Sequence, residues 1–311
     1  MDIGQLNTLL LAVAVCASAC SRDTRQRQRA VESEAAEEGG AALAAGRTVV
    51  QNKGSDSLVN VAQAWAEAYA GVDGQTAVAV TGGGTGTGVS ALINRTADLA
   101  NASRLLTDRE QAEARKRAVR PQAHTVGYDA ITVFVHKANP AKAFSLAQLA
   151  DIYGEGGTTT KWSQLGVSVP GCGSDEIVRI SRQNNSGTYE YFKDAVLGKG
   201  REFRLGTRDL HGSKEVADLV GKTPCAIGYS GLAYATSEVA MACVSKGQHC
   251  VVPTVETALN QTYPIARPLF MFTDGTPQGA LKRYLDWILS DSGQCIIARK
   301  GYAPVRKLVC G

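Results

Sequence analysis

Eight consecutive residues, Thr81-Gly-Gly-Gly-Thr-Gly-Thr-Gly88, have the composition of an oxyanion cradle. Five are glycine, which lets a backbone approach a ligand closely and adopt positive φ, and three are threonine, which supply hydroxyl donors. A strand-like run, 76–80, leads in, and a helix-like run, 89–94, leads out. A glycine-rich turn that opens a helix aims N–H groups and the positive end of the helix dipole at an anion. A flexible surface turn has the same composition, so the stretch alone leaves both readings open.

A second constellation is Arg182-Gln-Asn-Asn-Ser-Gly-Thr188. Arginine offers a planar fork that matches two oxygens of an oxyanion. Ser186 and Thr188 add hydroxyls, and Gly187 adds an unobstructed N–H. The alternative is an arginine in an ion pair and a serine that caps a helix. Arg104, which follows Ala102-Ser103, is a candidate second guanidinium, or a salt bridge closing two elements. Enzymatic readings fare worse. No lysine follows the glycines, as a phosphate-binding loop of nucleotide hydrolases requires. Gly86, Gly88 and Ala91 fit a loose dinucleotide fingerprint, but no acidic residue ends a second strand about 20 residues on. The nucleophile elbow G-x-S-x-G is absent. His124, His136, His211 and His249 lack metal-ligand spacing, so neither a metal nor a cofactor is expected.

The elements that must position these groups repeat one plan. A strand at 48–52 leads through Lys53-Gly-Ser-Asp-Ser-Leu58 to a helix with Leu58, Val61, Ala62, Trp65 and Tyr69 on one face. Asp56, with Ser55 or Ser57, stands where N-caps belong. The strand–polar turn–helix unit recurs at 76–94 and at 177–197. A short strand at 99–104 ends in Ser103 and Arg104, and 107–120 reads as a solvated helix. The segment 126–136 is the most apolar strand, 145–153 an amphipathic helix capped by Ser145, 226–231 a strand with its turn, and 278–290 a helix. This alternation predicts an α/β architecture with mostly parallel sheets. Ligands in such sheets bind beyond the carboxyl ends of the strands, which would gather the turns near 55, 85, 104 and 186 at one cleft.

Composition narrows the classes. The chain has 311 residues, 44% hydrophobic content and a net charge of +4, enough for one large domain or two lobes and too little clustered charge for nucleic acid. Leu9 to Ala19 is a short apolar run ending in Ala17-Ser-Ala-Cys20, too short to span a bilayer and similar to the core of a signal peptide. Cys20 reads as a lipidated cysteine, although 1–8 carry no Lys or Arg and Ala17 replaces a larger aliphatic. A secretory signal without lipid, or a misassigned start, are the alternatives. Residues 21–47 run basic, then acidic, then Ala/Gly, the composition of a disordered tether. Beyond Cys16 and Cys20, six cysteines remain, an even number that suggests disulfides in an exported chain. Six allow 15 pairings. Pairing neighbours gives Cys172–Cys225, Cys243–Cys250 and Cys295–Cys310.

Together, Gly54-Ser-Asp-Ser-Leu, Val80-Thr-Gly-Gly-Gly-Thr-Gly-Thr-Gly, Leu99-Ala-Asn-Ala-Ser-Arg, Gly127-Tyr-Asp, Gln148-Leu-Ala-Asp-Ile-Tyr, Lys161-Trp, Asn185-Ser-Gly-Thr-Tyr, Ala226-Ile-Gly-Tyr-Ser-Gly-Leu and Gly301-Tyr-Ala-Pro-Val resemble the phosphate-binding proteins of high-affinity phosphate ABC importers, in order from about Val49 to Val305. The resemblance implies a type II periplasmic-binding-protein fold, two α/β lobes joined by two crossover strands with phosphate clamped between. The expected division is a signal peptide over 1–20, the tether over 21–47, one lobe from 48–130 and 232–311, and the other from 131–231. By position, Ser57 and Leu58 match a contact through a hydroxyl and a backbone N–H, Thr85 matches a hydroxyl of the glycine turn, and Arg182, Ser186, Gly187 and Thr188 match the phosphate loop. Arg104 stands where one branch of the family has an aspartate that accepts the proton of hydrogen phosphate. Asp56 is then the first candidate acceptor, with helix capping as its alternative, and Asp129 the second. The resemblance further implies a monomeric, non-enzymatic binding protein of the cell envelope, with a membrane permease and an ATPase as partners. Another tetrahedral oxyanion (sulfate, molybdate or arsenate) and a sensing role without transport are the alternatives.

Overall fold

The computed structural model describes residues 46–311, and Val49–Gly311 forms a unit of its own. Strand β1 (Thr48–Gly54) buries Val50, Asn52 and Gly54 and exposes the residues between, apart from the half-buried Lys53. Helix α1 (Val59–Tyr69) follows, burying Val61, Ala62, Trp65 and Tyr69 at the helical spacing read from the sequence. Next come β2 (Thr76–Thr81) and α2 (Thr85–Ile93), which begins inside the glycine stretch. Then follow β3 (Leu99–Ala102), α3 (Asp108–Lys116), β4 (Pro121–His136), β5 (Ala143–Ser145) and α4 (Leu146–Tyr153). Thr107 with Glu110, and Ser145 with Gln148, form capping boxes that start α3 and α4. β6 (Val178–Arg182) leads to α5 (Gly187–Phe192), which runs on into a π turn. The chain ends with β7 (Arg208–Leu210), α6 (Ser213–Lys222), β8 (Ala226–Gly231), β9 (Val239–Ser245), β10 (Cys250–Val251), α7 (Val255–Leu259), β11 (Ala266–Asp274), α8 (Gly279–Leu289) and α9 (Asp291–Arg299).

The strands lie in the order β2-β1-β3-β11-β4-β8-β6-β7. β1 and β3 are parallel, and so are β8, β6 and β7. The long strands β4 and β11 run antiparallel to their neighbours, so the predicted parallel character holds within each half and the sheet as a whole is mixed. β4 joins the halves: residues 121–130 pair with β11 and 131–135 with β8. Two main cores result. One packs β1, β3 and β11 against α1, α8 and α9 through Val50, Leu99, Met271, Trp65, Tyr284 and Ile297. The other packs the distal part of β4 against α4, α5 and β8.

The expected boundary at residue 232 needs correction. β9 pairs with Val133 to His136 of β4, and Ala242, Val244, Ala258, Tyr263 and Ile265 pack in the same core as Ile131 and Val133. The chain therefore returns to the first core only with β11. β9, β10 and β11 were not read from the sequence, nor were α6, α7 and α9. The three disulfides are Cys172–Cys225, Cys243–Cys250 and Cys295–Cys310, the neighbour pairing, with Cα–Cα distances of 4.9, 5.5 and 5.6 Å. Residues 1–45, which hold the expected signal peptide, Cys20 and most of the expected tether, lie outside the described residues. Among the described residues no helix is long and apolar enough to cross a membrane.

Candidate anion site

Four polar turns meet beyond the carboxyl ends of β1, β2, β3 and β6. Two glycines decide how closely. Gly84 has φ of 90°, and a Cβ there would lie 2.8 Å from the carbonyl of Asn185. A side chain at this point would thus be strained and would also block the approach of the 182–188 turn. Gly187 seats the start of α5 against the other wall, where a Cβ would overlap the hydroxyls of Ser103 and Thr85. Further bonds tie the turns together: Gly86 N–H to Asn185 O at 3.1 Å, and Asn185 Nδ2 to Gly83 O at 3.0 Å.

A count of hydroxyl protons shows what this cluster can donate. Ser57 Oγ and Thr188 Oγ1 are 2.8 Å apart, and Arg267 Nη2 donates to both, at 3.0 and 2.9 Å. Each hydroxyl has one proton, and their mutual bond uses only one of the two. In a second group, Ser55 Oγ donates to Ser103 Oγ, which lies 3.3 Å from Thr85 Oγ1, while Thr85 Oγ1 also accepts from Ser103 N–H. Whichever of Ser103 and Thr85 gives its proton to the other, one O–H is left over. Ser186 Oγ accepts from Thr188 N–H and has no acceptor for its own proton among the described residues. All these side chains are buried, Thr85 and Thr188 completely. Buried donors that lack acceptors are costly unless a ligand takes them.

The charges come as two buried pairs. Arg182 Nη2 donates to Asp56 Oδ2 at 3.1 Å, Nη1 to Ser213 Oγ, and Nε and Nη2 to the carbonyl of His211. Four of five guanidinium N–H groups are therefore used, leaving one on Nη1. Burial lowers the Arg182 pKa, and Asp56 opposes this. Asp56 Oδ1 also accepts from Gly83 N–H at 3.0 Å. The second pair is Arg267 with Asp129, at 2.9 Å and with no exposure on either side chain. Burial pushes the Asp129 carboxyl up, against the pull of Arg267. Two buried tyrosines pin the 56–57 backbone from behind, Tyr302 O–H on Ser57 O at 2.6 Å and Tyr234 O–H on Asp56 O. Burial pushes the Tyr234 phenol up to about 12.

The fold thus brings together Asp56, Ser57, Thr85, Arg182, Ser186, Gly187 and Thr188. Three expectations need correction. Arg104 is not in the cluster: it makes a bidentate pair with Glu110, at 2.7 and 2.9 Å, and donates to Leu105 O. It lines an outer cleft of about 640 Å³ with Asn185 and Arg117. The capping box of α3 holds Glu110 within reach, and this half-buried carboxylate captures the nearest guanidinium. The N–H of Leu58 is taken within its own turn by Ser55 O, at 3.0 Å. Asp56 does not cap α1, since Leu58 holds the N-cap position without a side-chain bond and the Asp56 carboxylate turns to Gly83 and Arg182. Sequence reasoning missed Ser103 and Arg267 as members of the cluster. An arginine just ahead of the buried apolar run Leu269-Phe-Met-Phe was the available signal, because a charge buried beside such a run needs a partner.

A family model described as a PBP superfamily domain matches residues 31–292. The chain is 34% identical to the phosphate-binding protein PstS of Pseudomonas aeruginosa over 266 residues, 81% of each chain. It is 31% identical to protein SphX of Synechococcus elongatus, over 83% of this chain and 78% of that one. Among solved structures, one described as a phosphate ABC transporter substrate-binding protein from Clostridium perfringens, with bound phosphate, superposes with a TM-score of 0.74 at 28% identity, covering 83% of this chain and all of that one. The clustered turns, the crossing strands and these likenesses agree: the chain belongs to the PBP superfamily, with the type II periplasmic-binding-protein fold, and within it to the family of PstS phosphate-binding proteins.

Proposed function

We propose that this protein binds inorganic phosphate in the cell envelope, as a monomer anchored through lipid on Cys20, and delivers it to the membrane permease and ATPase of an ABC importer. The observation that carries the reading is the set of left-over O–H donors, on Ser57 or Thr188, on Ser103 or Thr85, and on Ser186, enclosed with the guanidinium of Arg182. Phosphate is strongly hydrated, so a site must replace its water shell with fixed donors and offset its charge. These residues do both. We read the site as binding rather than catalytic because neither nearby carboxylate is a base for a hydroxyl: Asp56 is committed to Arg182, and Asp129 to Arg267. Asp56 keeps lone pairs beyond its two bonds and is the acceptor we assign to the ligand's proton. A carboxylate facing an unprotonated oxygen would reject sulfate.

Equilibrium binding of radiolabelled phosphate to the purified domain tests this. Saturable binding is expected in wild type. Arg182→Ala should weaken it by about 30-fold or more, since it strands Asp56 in the interior. Asp56→Asn should let sulfate compete. No saturable binding by wild type, or unchanged affinity in Arg182→Ala, would refute the reading.

A further inference from the structure

We propose that Arg267, held by Asp129, is the second cation of the anion site and sets the direction in which Ser57 and Thr188 give their protons. This deepens the phosphate reading and rests on it. The two residues face each other in register on β11 and β4. They stand just before the point where these strands leave the first core, since Ile131 N–H bonds Ile265 O at 3.0 Å and Ile131 pairs with Gly231 of β8. The guanidinium therefore sits at the floor of the cluster, on the strands that join the halves.

Its contacts single it out. Nη2 has two N–H groups but meets three acceptors: Asp129 Oδ2 at 2.9 Å, Ser57 Oγ at 3.0 Å and Thr188 Oγ1 at 2.9 Å. Nη1 reaches the carbonyl of Ser103 at 3.3 Å. One side chain thus touches the turn after β1, the end of β3 and the start of α5. Ser57 and Thr188 belong to opposite walls of the site, 131 residues apart. An arginine N–H can only donate, so both hydroxyls must present a lone pair to it and turn their protons away from it. A hydroxyl that accepts from a cation in a low-dielectric interior is also polarised into a better donor. Asp129 is needed because an unpaired buried guanidinium is strongly destabilising. Arg267 is on this account a positioning residue that acts through the two hydroxyls, and it replaces Arg104 as the site's second guanidinium.

A thermodynamic cycle on phosphate affinity tests this. Arg267→Lys keeps the charge but cannot bridge both hydroxyls, and should weaken binding about 10-fold in the wild-type background. In a Ser57→Ala/Thr188→Val background the same change should cost less than about twofold, because its targets are gone. A merely structural role would give equal losses in both backgrounds, and that result overturns the proposal. If Arg267→Lys does not fold, the pair Arg267→Met/Asp129→Asn, which removes both charges together, enters the same comparison. A wild type that binds phosphate with additive losses sinks this inference alone. A wild type that binds no phosphate sinks the reading beneath it as well.

Discussion

At position 187 the protein has no room for a methyl group, because a Cβ would overlap Ser103 Oγ and Thr85 Oγ1. The glycine is there to let two hydroxyls reach the first turn of α5. Gly187→Ala should force those walls apart and weaken phosphate binding by about 10-fold or more, an overpacking effect delivered straight to the donors. Equilibrium dialysis at matched protein folding checks this, and wild-type affinity in the variant would show that the close approach is dispensable. The same scale explains why the turn residues were legible. Ser, Thr and Gly at helix starts carry their chemistry in their own atoms, so Ser57, Thr85 and Thr188 could be picked out before any contact was known. Arg104 and Arg267 could not be told apart that way, since a guanidinium's role depends on which carboxylate holds it.

Among the elements, α3 shows how a local rule redirected a candidate ligand. Its capping box places Glu110 at the third helical position, where the carboxylate accepts from Thr107 N–H and from both terminal nitrogens of Arg104. Burial raises the Glu110 pKa, but these bonds outweigh it and hold the carboxyl below the usual 4.5. A carboxyl lowered on folding contributes stability that is full above its unfolded pKa and is lost as the pH falls through the folded one. Glu110→Gln should therefore be less stable than wild type at about pH 6, with the gap closing by about pH 3. Thermal melts across that range check it, and a gap independent of pH would remove Glu110 from the account. Capping boxes need only residues three apart, so α3 and α4 were both readable from sequence. β9 and β11 were not, because their pairing partners on β4 lie far along the chain.

On the scale of the whole molecule, the site lies between two cores that the chain visits in turn, and the disulfides staple chain segments of very different length. Cys172–Cys225 spans 53 residues, Cys295–Cys310 spans 15 and Cys243–Cys250 spans 7. If restriction of the unfolded chain dominates, opening them singly by Cys→Ser pairs should cost about 4, 3 and 2 kcal/mol, in that order. Urea denaturation of the three variants would reveal the ranking, and equal losses would mean that native-state packing, not chain entropy, governs them. The contacts that close the site also cross between the halves, as with Asp56 to Arg182 and Gly83 to Asn185.

The sequence by itself determined the α/β class, the three polar turns that open helices and the guanidinium of Arg182, because strand and helix periodicity and the donor chemistry of Gly, Ser, Thr and Arg are local properties. It also carried enough ordered motifs to resemble a family. Only the tertiary structure decided the rest. It tied Arg104 to Glu110, turned Asp56 from helix capping to Arg182, moved 239–265 into the second core, and set Arg267 beneath Ser57 across 210 residues of chain. Those outcomes depend on which buried charges find each other once strands are paired, and pairing between distant segments leaves no period in the sequence.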